Sequence, residues 1–371
     1  MHAIPAFANH LPVRVRFGEG VATTLPDVLA ELGSSRVFLM VDEGIEQHNP
    51  AVADLLDALA ARSELSVTRF DKPAAEPTIA MVDTATRALV ESGATTLVAI
   101  GGGSVIDTAK AARLCAQLGL TFAEFLAASP GFPVPDVALV AVPTSAGTGS
   151  EVSGGSVVSD PEAGRKNGIA NANLRAQYAL VDPRLTHSMP PTMTANTGID
   201  ALAQAIAAVV ANVSTPIGDG IALEAVRMIT PALVAAYRDG SDAAARSSMS
   251  CGSMMAGLAM NISDCTAEHS LGQAIGGLAH VPGRLERVAD AMGEPDDGSG
   301  DGSRAVRAVR RILAELDFPV LASLGFTEAD VDRLADLALA DYFITMSPSP
   351  WSKDEVVTAF TAALHLEGRA A

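Results

Sequence analysis

Short apolar runs and amphipathic stretches take turns through the first half of the chain. Residues 37–41 (VFLMV) form a compact apolar run that stops at Asp42 and reads as a buried strand. Residues 50–61 carry apolar positions at helical spacing. Residues 65–70 (LSVTRF) alternate and read as a second strand. Residues 78–92 return to helical spacing, with Ile79, Val82, Ala85 and Leu89 three or four positions apart. Residues 96–100 (TLVAI) make a third strand that runs straight into glycines. A helix over 104–118 and a fourth strand over 137–142 (VALVAV) follow. Strands alternating with helices in this way build a parallel sheet covered on both faces.

From Thr192 onward the pattern is almost wholly helical, over residues 194–211, 218–237, 242–259, 265–276, 304–316 and 353–366. The predicted organisation is an α/β N-terminal domain over residues 1–184, doubly wound on a mostly parallel sheet, and an all-α C-terminal domain over residues 185–371. Residues 293–303 (GEPDDGSGDGS) combine chain breakers with acidic side chains and read as a mobile surface loop. No internal repeat is visible.

Composition narrows the possibilities. Hydrophobic residues make up 49% of the chain and aromatics only 4%. Packing by Ala, Val and Leu favours helices and parallel strands over an aromatic-rich sandwich. The formal net charge is -18. Such a surface repels a polyanion, so nucleic acid is not an expected partner. Cys115, Cys251 and Cys265 are too few and too scattered for a disulfide framework, which fits a reducing compartment and a cytoplasmic protein. Residues 1–12 lack the basic start and apolar run of a signal peptide. No unbroken apolar stretch reaches about 18–20 residues, so no membrane span is expected.

The chemistry-bearing candidates begin at Gly101-Gly102-Gly103-Ser104, between a strand and a helix. Glycine lets backbone approach a phosphate closely, and the first amides of the next helix point at the anion. Asp42 closes another strand, where a carboxylate accepts hydrogen bonds from a ribose hydroxyl and repels a 2′-phosphate. That favours NAD(H) over NADP(H). A second polar loop, residues 143–151 (PTSAGTGSE), follows the fourth strand, and its density of Thr, Ser and Gly suits a ligand crevice.

These motifs carry a resemblance. GGGSVIDTAK (101–110), PTSAGTGSEV (143–152), ALVDPRL (179–185), Met189-Pro190-Pro191 and GIDAL (198–202) fall in the order found in the iron-containing, group III alcohol dehydrogenases. The chain resembles that family from about residue 13 to residue 283. The resemblance implies a Rossmann-like nucleotide-binding domain and a helical domain, in the architecture shared with dehydroquinate synthases, with the active site in the cleft. It also implies a homodimer acting on a small-molecule substrate. By motif, Asp42 faces the adenosine ribose, Gly102, Gly103 and Ser104 hold the pyrophosphate, and Gly101 belongs to the same cofactor loop. Asp107, Thr144, Ser145, Thr148, Lys166 and Leu185 complete the cofactor set.

The same resemblance exposes a break. The family holds a divalent metal with one aspartate and three histidines, two of them as Asp-x-x-x-His on one helix. Here that helix reads Asp200-Ala201-Leu202-Ala203-Gln204. The next element, His-x-x-x-His in the family, reads Cys265-Thr266-Ala267-Glu268-His269. The final Pro-His-Gly is replaced by His280-Val281-Pro282-Gly283, and the helix after it looks cut away. Two readings stay open: a rebuilt site from Asp200, Cys265 and His280, or loss of the metal. The second is favoured, because affinity depends on ligand count and geometry.

Without a metal, a protonated histidine with an ordinary pKa of about 6.5 can donate to the carbonyl oxygen during hydride transfer. His269 is the candidate acid, with Asp200 and Lys166 as further catalytic candidates. Gln204 and Arg284 could orient substrate, and Arg284 suits a carboxylate or phosphonate. The expected activity is NAD(P)H-dependent reduction of a small aldehyde or ketone to an alcohol. The alternatives are a non-redox lyase or cyclase keeping the nucleotide site, or an inactive NAD-binding protein.

Overall fold

A computed structural model describes residues 7–8, 10–11, 13–163, 165–264, 282–340, 344–345, 347 and 349–365. The chain divides into two compact units.

The first unit comprises residues 11–190 and 240–254. Six of its strands are β1 (Arg14–Phe17), β2 (Arg36–Asp42), β3 (Ser66–Lys72), β4 (Thr96–Gly101), β5 (Ala138–Pro143) and β8 (Tyr178–Val181). They form one parallel sheet in the order β1-β8-β5-β4-β2-β3. Side chains alternate across a strand, and here both faces are buried. Val37, Leu39, Val41, Val98, Ile100, Val140 and Val142 pack on one side with residues of helices α1 (Leu25–Glu31) and α2 (Pro50–Ala60). Phe38, Met40, Leu97, Ala99, Leu139 and Ala141 pack on the other with α3 (Ile79–Ser92) and α4 (Gly103–Leu118). That two-sided burial explains why the central strands read as unbroken apolar runs.

Local chemistry sets the helix ends. The Asn49 side chain accepts from the Val52 amide, with Pro50 at the first helical position of α2. Thr78 caps α3, and Gly93, at φ 58°, ends it in the left-handed region. A capping box of Thr121 and Glu124 starts α5 (Phe122–Ala128). The chain runs from β2 to the edge strand β3, crosses back to β4, and then builds outward through β5. The winding direction therefore changes between β2 and β4, which places Asp42 and Gly101 side by side where such sheets open a crevice. An antiparallel hairpin, β6 (Gly155–Asp160) with β7 (Arg165–Ala170), lies outside the main sheet, and the alternation of apolar runs did not foretell it.

The second unit comprises residues 191–239 and 255–371, with residues 1–10 grouped with it. Its helices include α6 (Pro191–Val210) and α7 (Pro216–Arg238), which pack against each other. Helix α8 (Ala243–Ser263) has residues in both units. The others described are α9 (Pro282–Ala291), α10 (Ser303–Glu315), α11 (Val331–Leu339) and α12 (Lys353–Leu364). Helix α9 stands where the sequence suggested a helix cut away. Val331, Ala335, Val356 and Phe360 join α11 to α12 in a small core. By length and composition α6 and α7 are apolar enough to cross a bilayer, although polar residues interrupt both; 72% of the apolar window of α6 is buried in the protein.

The acidic segment 293–303 is pinned. Arg304 is 3% exposed and reaches the Glu286 and Asp290 carboxylates and the Glu294 and Pro295 carbonyls. Arg307 pairs with Asp297, and Arg311 with Glu294 at 2.5 Å. These arginines share one face of α10, so the mobile loop expected from composition is corrected to one clamped by cations.

Candidate functional site

The site is built from strand ends. β4 closes on Gly101, Gly102 caps α4 with extended backbone, and Gly103 and Ser104 open the helix. A Cβ on Gly101 would lie 2.4 Å from Val105 Cγ2 and 3.0 Å from Asp42 Oδ2; on Gly103 it would lie 2.7 Å from Thr148 Cγ2 and Oγ1. On Gly102 it would meet Ser145 Oγ at 3.3 Å. Side chains are therefore excluded from this cradle, and no side chain caps the α4 N-terminus. The resulting backbone amides and the helix dipole suit a phosphate.

Asp42 sits opposite. Its Oδ2 accepts from the Gly102 amide at 3.4 Å. Burial pushes its carboxyl up, and the Lys72 ammonium and that amide hold it back. The loop after β5 closes the crevice: the Thr144 amide donates to the Gly101 carbonyl at 3.0 Å, and Thr148 Oγ1 accepts from the Ser150 amide at 3.2 Å. Asp42, Gly101, Gly102, Gly103, Ser104, Thr144, Ser145 and Thr148 are thus neighbours, as a nucleotide site requires.

Three members of the expected set are engaged elsewhere. Both Asp107 oxygens are taken, Oδ1 by Ser150 Oγ at 2.5 Å and Oδ2 by the Val157 amide at 2.9 Å. This carboxylate braces the loop behind the cradle. Leu185 is fully buried in the core beside α2, with its carbonyl accepting from Asn49 Nδ2 at 2.7 Å. Lys166, on β7, donates to Glu76 Oε1 at 2.8 Å, and both side chains are exposed. Glu76 also accepts from Ser159 Oγ, tying the hairpin to the segment after β3. In this arrangement the Lys166 ammonium serves an ion pair.

Sequence reasoning passed over the charged groups beneath the cradle. Lys110 is fully buried and donates to Ser150 Oγ at 2.8 Å, Ser153 Oγ at 3.3 Å and the Gly155 carbonyl at 2.7 Å. Burial pushes this ammonium down to about 8, against the pull of Asp107 and Glu151. Glu151, 4% exposed, is pushed up to about 7 by the same loss of water. Lys72, buried at the end of β3, donates to Ser104 Oγ at 3.2 Å. Its signal was a cation closing a parallel strand in register with Asp42. Arg284 caps α6, donating to the Val209, Val210 and Ala211 carbonyls. In this arrangement its Nη1 serves the end of a helix.

On α6, Asp200 and Gln204 stand one turn apart. Gln204 is 2% exposed; its Nε2 donates to Asp200 Oδ2 at 2.9 Å, and its Oε1 has no partner among the described residues. The amide hydrogen takes one of the several lone pairs of that carboxylate. A histidine there presents a nitrogen lone pair, whereas this amide turns a donor to the acid. Beside Asp200 the neutral amide is a weaker metal donor than the histidine of the family pattern. Cys265, His269 and His280 lie outside the described residues.

Two family models match the chain: iron-containing alcohol dehydrogenase over residues 12–183, and the Fe-containing alcohol dehydrogenase family, C-terminal, over residues 194–283. The chain is 32% identical over 366 residues to the probable alcohol dehydrogenase EutG of Escherichia coli (strain K12), spanning 93% of this chain and 92% of that protein. Its fold matches a 1,3-propanediol oxidoreductase at TM-score 0.88 and 27% identity, over 97% of this chain and 100% of that one. It also matches sulfoacetaldehyde reductase from Bifidobacterium kashiwanohense, solved in complex with NAD+, at TM-score 0.84 and 25% identity, over 98% of this chain and 100% of that one. The parallel sheet, the helical remainder and these matches agree with what the motifs implied: the chain belongs to the iron-containing alcohol dehydrogenase family and is an alcohol-dehydrogenase-type oxidoreductase.

Proposed function

We propose that the chain is an NAD(H)-dependent reductase of a small aldehyde or ketone that works without a resident divalent metal. The observation that carries this reading is the side-chain-free cradle at Gly101–Gly103, facing the Asp42 carboxylate across the point where the sheet changes winding direction. The NAD+ complex of the sulfoacetaldehyde reductase supports it. The amides opening α4 bind the diphosphate, and Asp42 accepts from the adenosine ribose and repels a 2′-phosphate. Bound there, the reduced nicotinamide supplies a hydride to the carbonyl carbon. His269, as imidazolium, gives its proton to the carbonyl oxygen, which leaves an alcohol. Gln204 stands where the family pattern has a histidine and donates its amide to Asp200, which favours a site without a cation.

The test is loss of NADH absorbance when purified protein meets a panel of small aldehydes and keto acids. Parallel assays contain a strong chelator, added iron or added zinc, beside metal analysis of the protein. The proposal expects turnover that the chelator leaves intact. Turnover that appears only with added metal overturns the metal-free part, and no turnover under any condition overturns the reductase.

A further inference from the structure

Lys72 is one of the largest fully buried side chains in the protein, at the carboxyl end of the otherwise exposed edge strand β3. Its ammonium donates to the Pro73 carbonyl at 2.9 Å, the Ala75 carbonyl at 2.6 Å and Ser104 Oγ at 3.2 Å. Those acceptors use its three hydrogens, and all three are neutral. Asp42, its register partner across the β2–β3 pair, attracts it without forming an ion pair.

A buried cation bonded only to neutral oxygens is costly, because the nearby Asp42 charge repays only part of its lost hydration. Its position makes the cost larger. Ser104 is the second residue of α4, and the amide end of a helix already carries positive potential. Two like-signed features therefore face the same spot, beside a glycine cradle emptied of side chains. An anion at that spot relieves both at once.

We propose that Lys72 is a positioning residue for the diphosphate of a dinucleotide: its fixed charge and its bond to Ser104 Oγ arm the α4 N-terminus for two adjacent negative groups. The Ser104 hydroxyl, held by Lys72 through its oxygen, keeps its own hydrogen for a phosphate oxygen. The two carbonyl bonds hold the turn 73–75 down beside that hydroxyl. This assignment rests on the nucleotide site proposed above, and it adds a residue from β3 to a site otherwise read from the glycine motif.

The experiment measures binding of NADH and of ADP-ribose, which carries the diphosphate without the nicotinamide, by titration calorimetry at low and high ionic strength. Lys72→Met keeps the length and removes the charge; Lys72→Arg keeps the charge. Lys72→Met is expected to weaken both ligands about tenfold at low salt, with a smaller deficit at high salt. It raises KM for NADH far more than it lowers kcat, and Lys72→Arg recovers part of the loss. Lys72→Met binding both ligands within roughly twofold of the parent at low salt overturns the proposal. So does an equal deficit at both salt concentrations, which marks a packing effect. If Lys72→Met does not fold, Lys72→Arg decides, since a merely structural lysine gives the salt-independent result. If the parent protein binds neither ligand, the nucleotide site itself fails, a result distinct from any loss confined to the variants.

Discussion

Gly101→Ala tests whether the cradle is as tight as its geometry implies. The added Cβ would lie 2.4 Å from Val105 Cγ2, 2.8 Å from Val105 Cβ and 3.0 Å from Asp42 Oδ2. Comfortable carbon contacts lie near 3.5–4.0 Å, so the overlap with Val105 Cβ alone is roughly 0.7 Å or more. Rotating Val105 moves its Cγ2 but not its Cβ, which is fixed to the helix backbone. The first turn of α4 must therefore shift, although Val105 is fully buried. Overpacking of this kind costs about 1–3 kcal/mol, partly offset by the lower chain entropy that alanine gives the unfolded state, worth about 0.5–1 kcal/mol. A net loss near 1–2 kcal/mol lowers the melting temperature of a unit this size by roughly 2–8 °C. The displaced turn also carries the amides of Gly103 and Ser104, so NADH affinity falls with stability. Melting is followed by far-ultraviolet circular dichroism, and affinity by calorimetry. Val105→Ala removes Cγ2 but leaves Cβ, so the double variant recovers only part of the loss. Unchanged melting and NADH affinity in Gly101→Ala would refute the claim that close packing shapes the cradle.

Two further changes probe the surroundings. Burial lifts the Glu151 carboxyl from 4.5 to about 7, so between those values the folded chain keeps a proton that the unfolded chain has released. Its contribution to stability is complete below pH 4.5 and is lost as pH rises through 7, by up to about 3 kcal/mol. Glu151→Gln removes this slope, so its stability relative to the parent should rise across that window in urea unfolding; a constant difference contradicts the reading. The exposed Lys166–Glu76 pair is worth about 0–1 kcal/mol, so Lys166→Ala should barely change melting. If NADH affinity falls in that variant while melting holds, Lys166 leaves Glu76 for the cofactor, as its motif position implied; unchanged affinity confines it to the ion pair.

What the sequence made legible follows a physical line. Strands β2, β4 and β5 were readable because both faces are buried, so their apolar runs are continuous and local. Strand β1 was not, because Arg14-Val15-Arg16-Phe17 is short and half charged. Its strand state comes from pairing with β8 some 160 residues away, where Tyr178 stacks with both arginines. The β6–β7 hairpin escaped notice for a related reason. Its segment is rich in Gly and Ser, and distant partners fix it: the Asp107 carboxylate on the Val157 amide and the Pro77 carbonyl on the Ser159 amide. The glycine cradle was legible because its function needs the absence of side chains, which sequence records directly.

The charged residues divide along the same line. A lysine or arginine in a sequence shows its charge but not what surrounds it. Lys72 and Arg284 both look like surface residues, yet one lies beneath the cradle and the other caps α6. The same limit bears on Gln204. The replacement of histidine by glutamine is visible in the sequence, but it leaves open whether the amide offers its oxygen to a cation or its hydrogen to Asp200. Here the hydrogen is turned toward Asp200 at 2.9 Å, whereas a bound cation would turn the oxygen. An oxygen turned toward Asp200 sets two acceptors against each other, and only a cation between them makes that tolerable. The amide orientation and metal affinity are therefore a single question. Under the metal-free reading proposed above, the Gln204 amide stands beside Asp200 where the family pattern has a histidine, and a proton donor stabilises charge on the substrate oxygen.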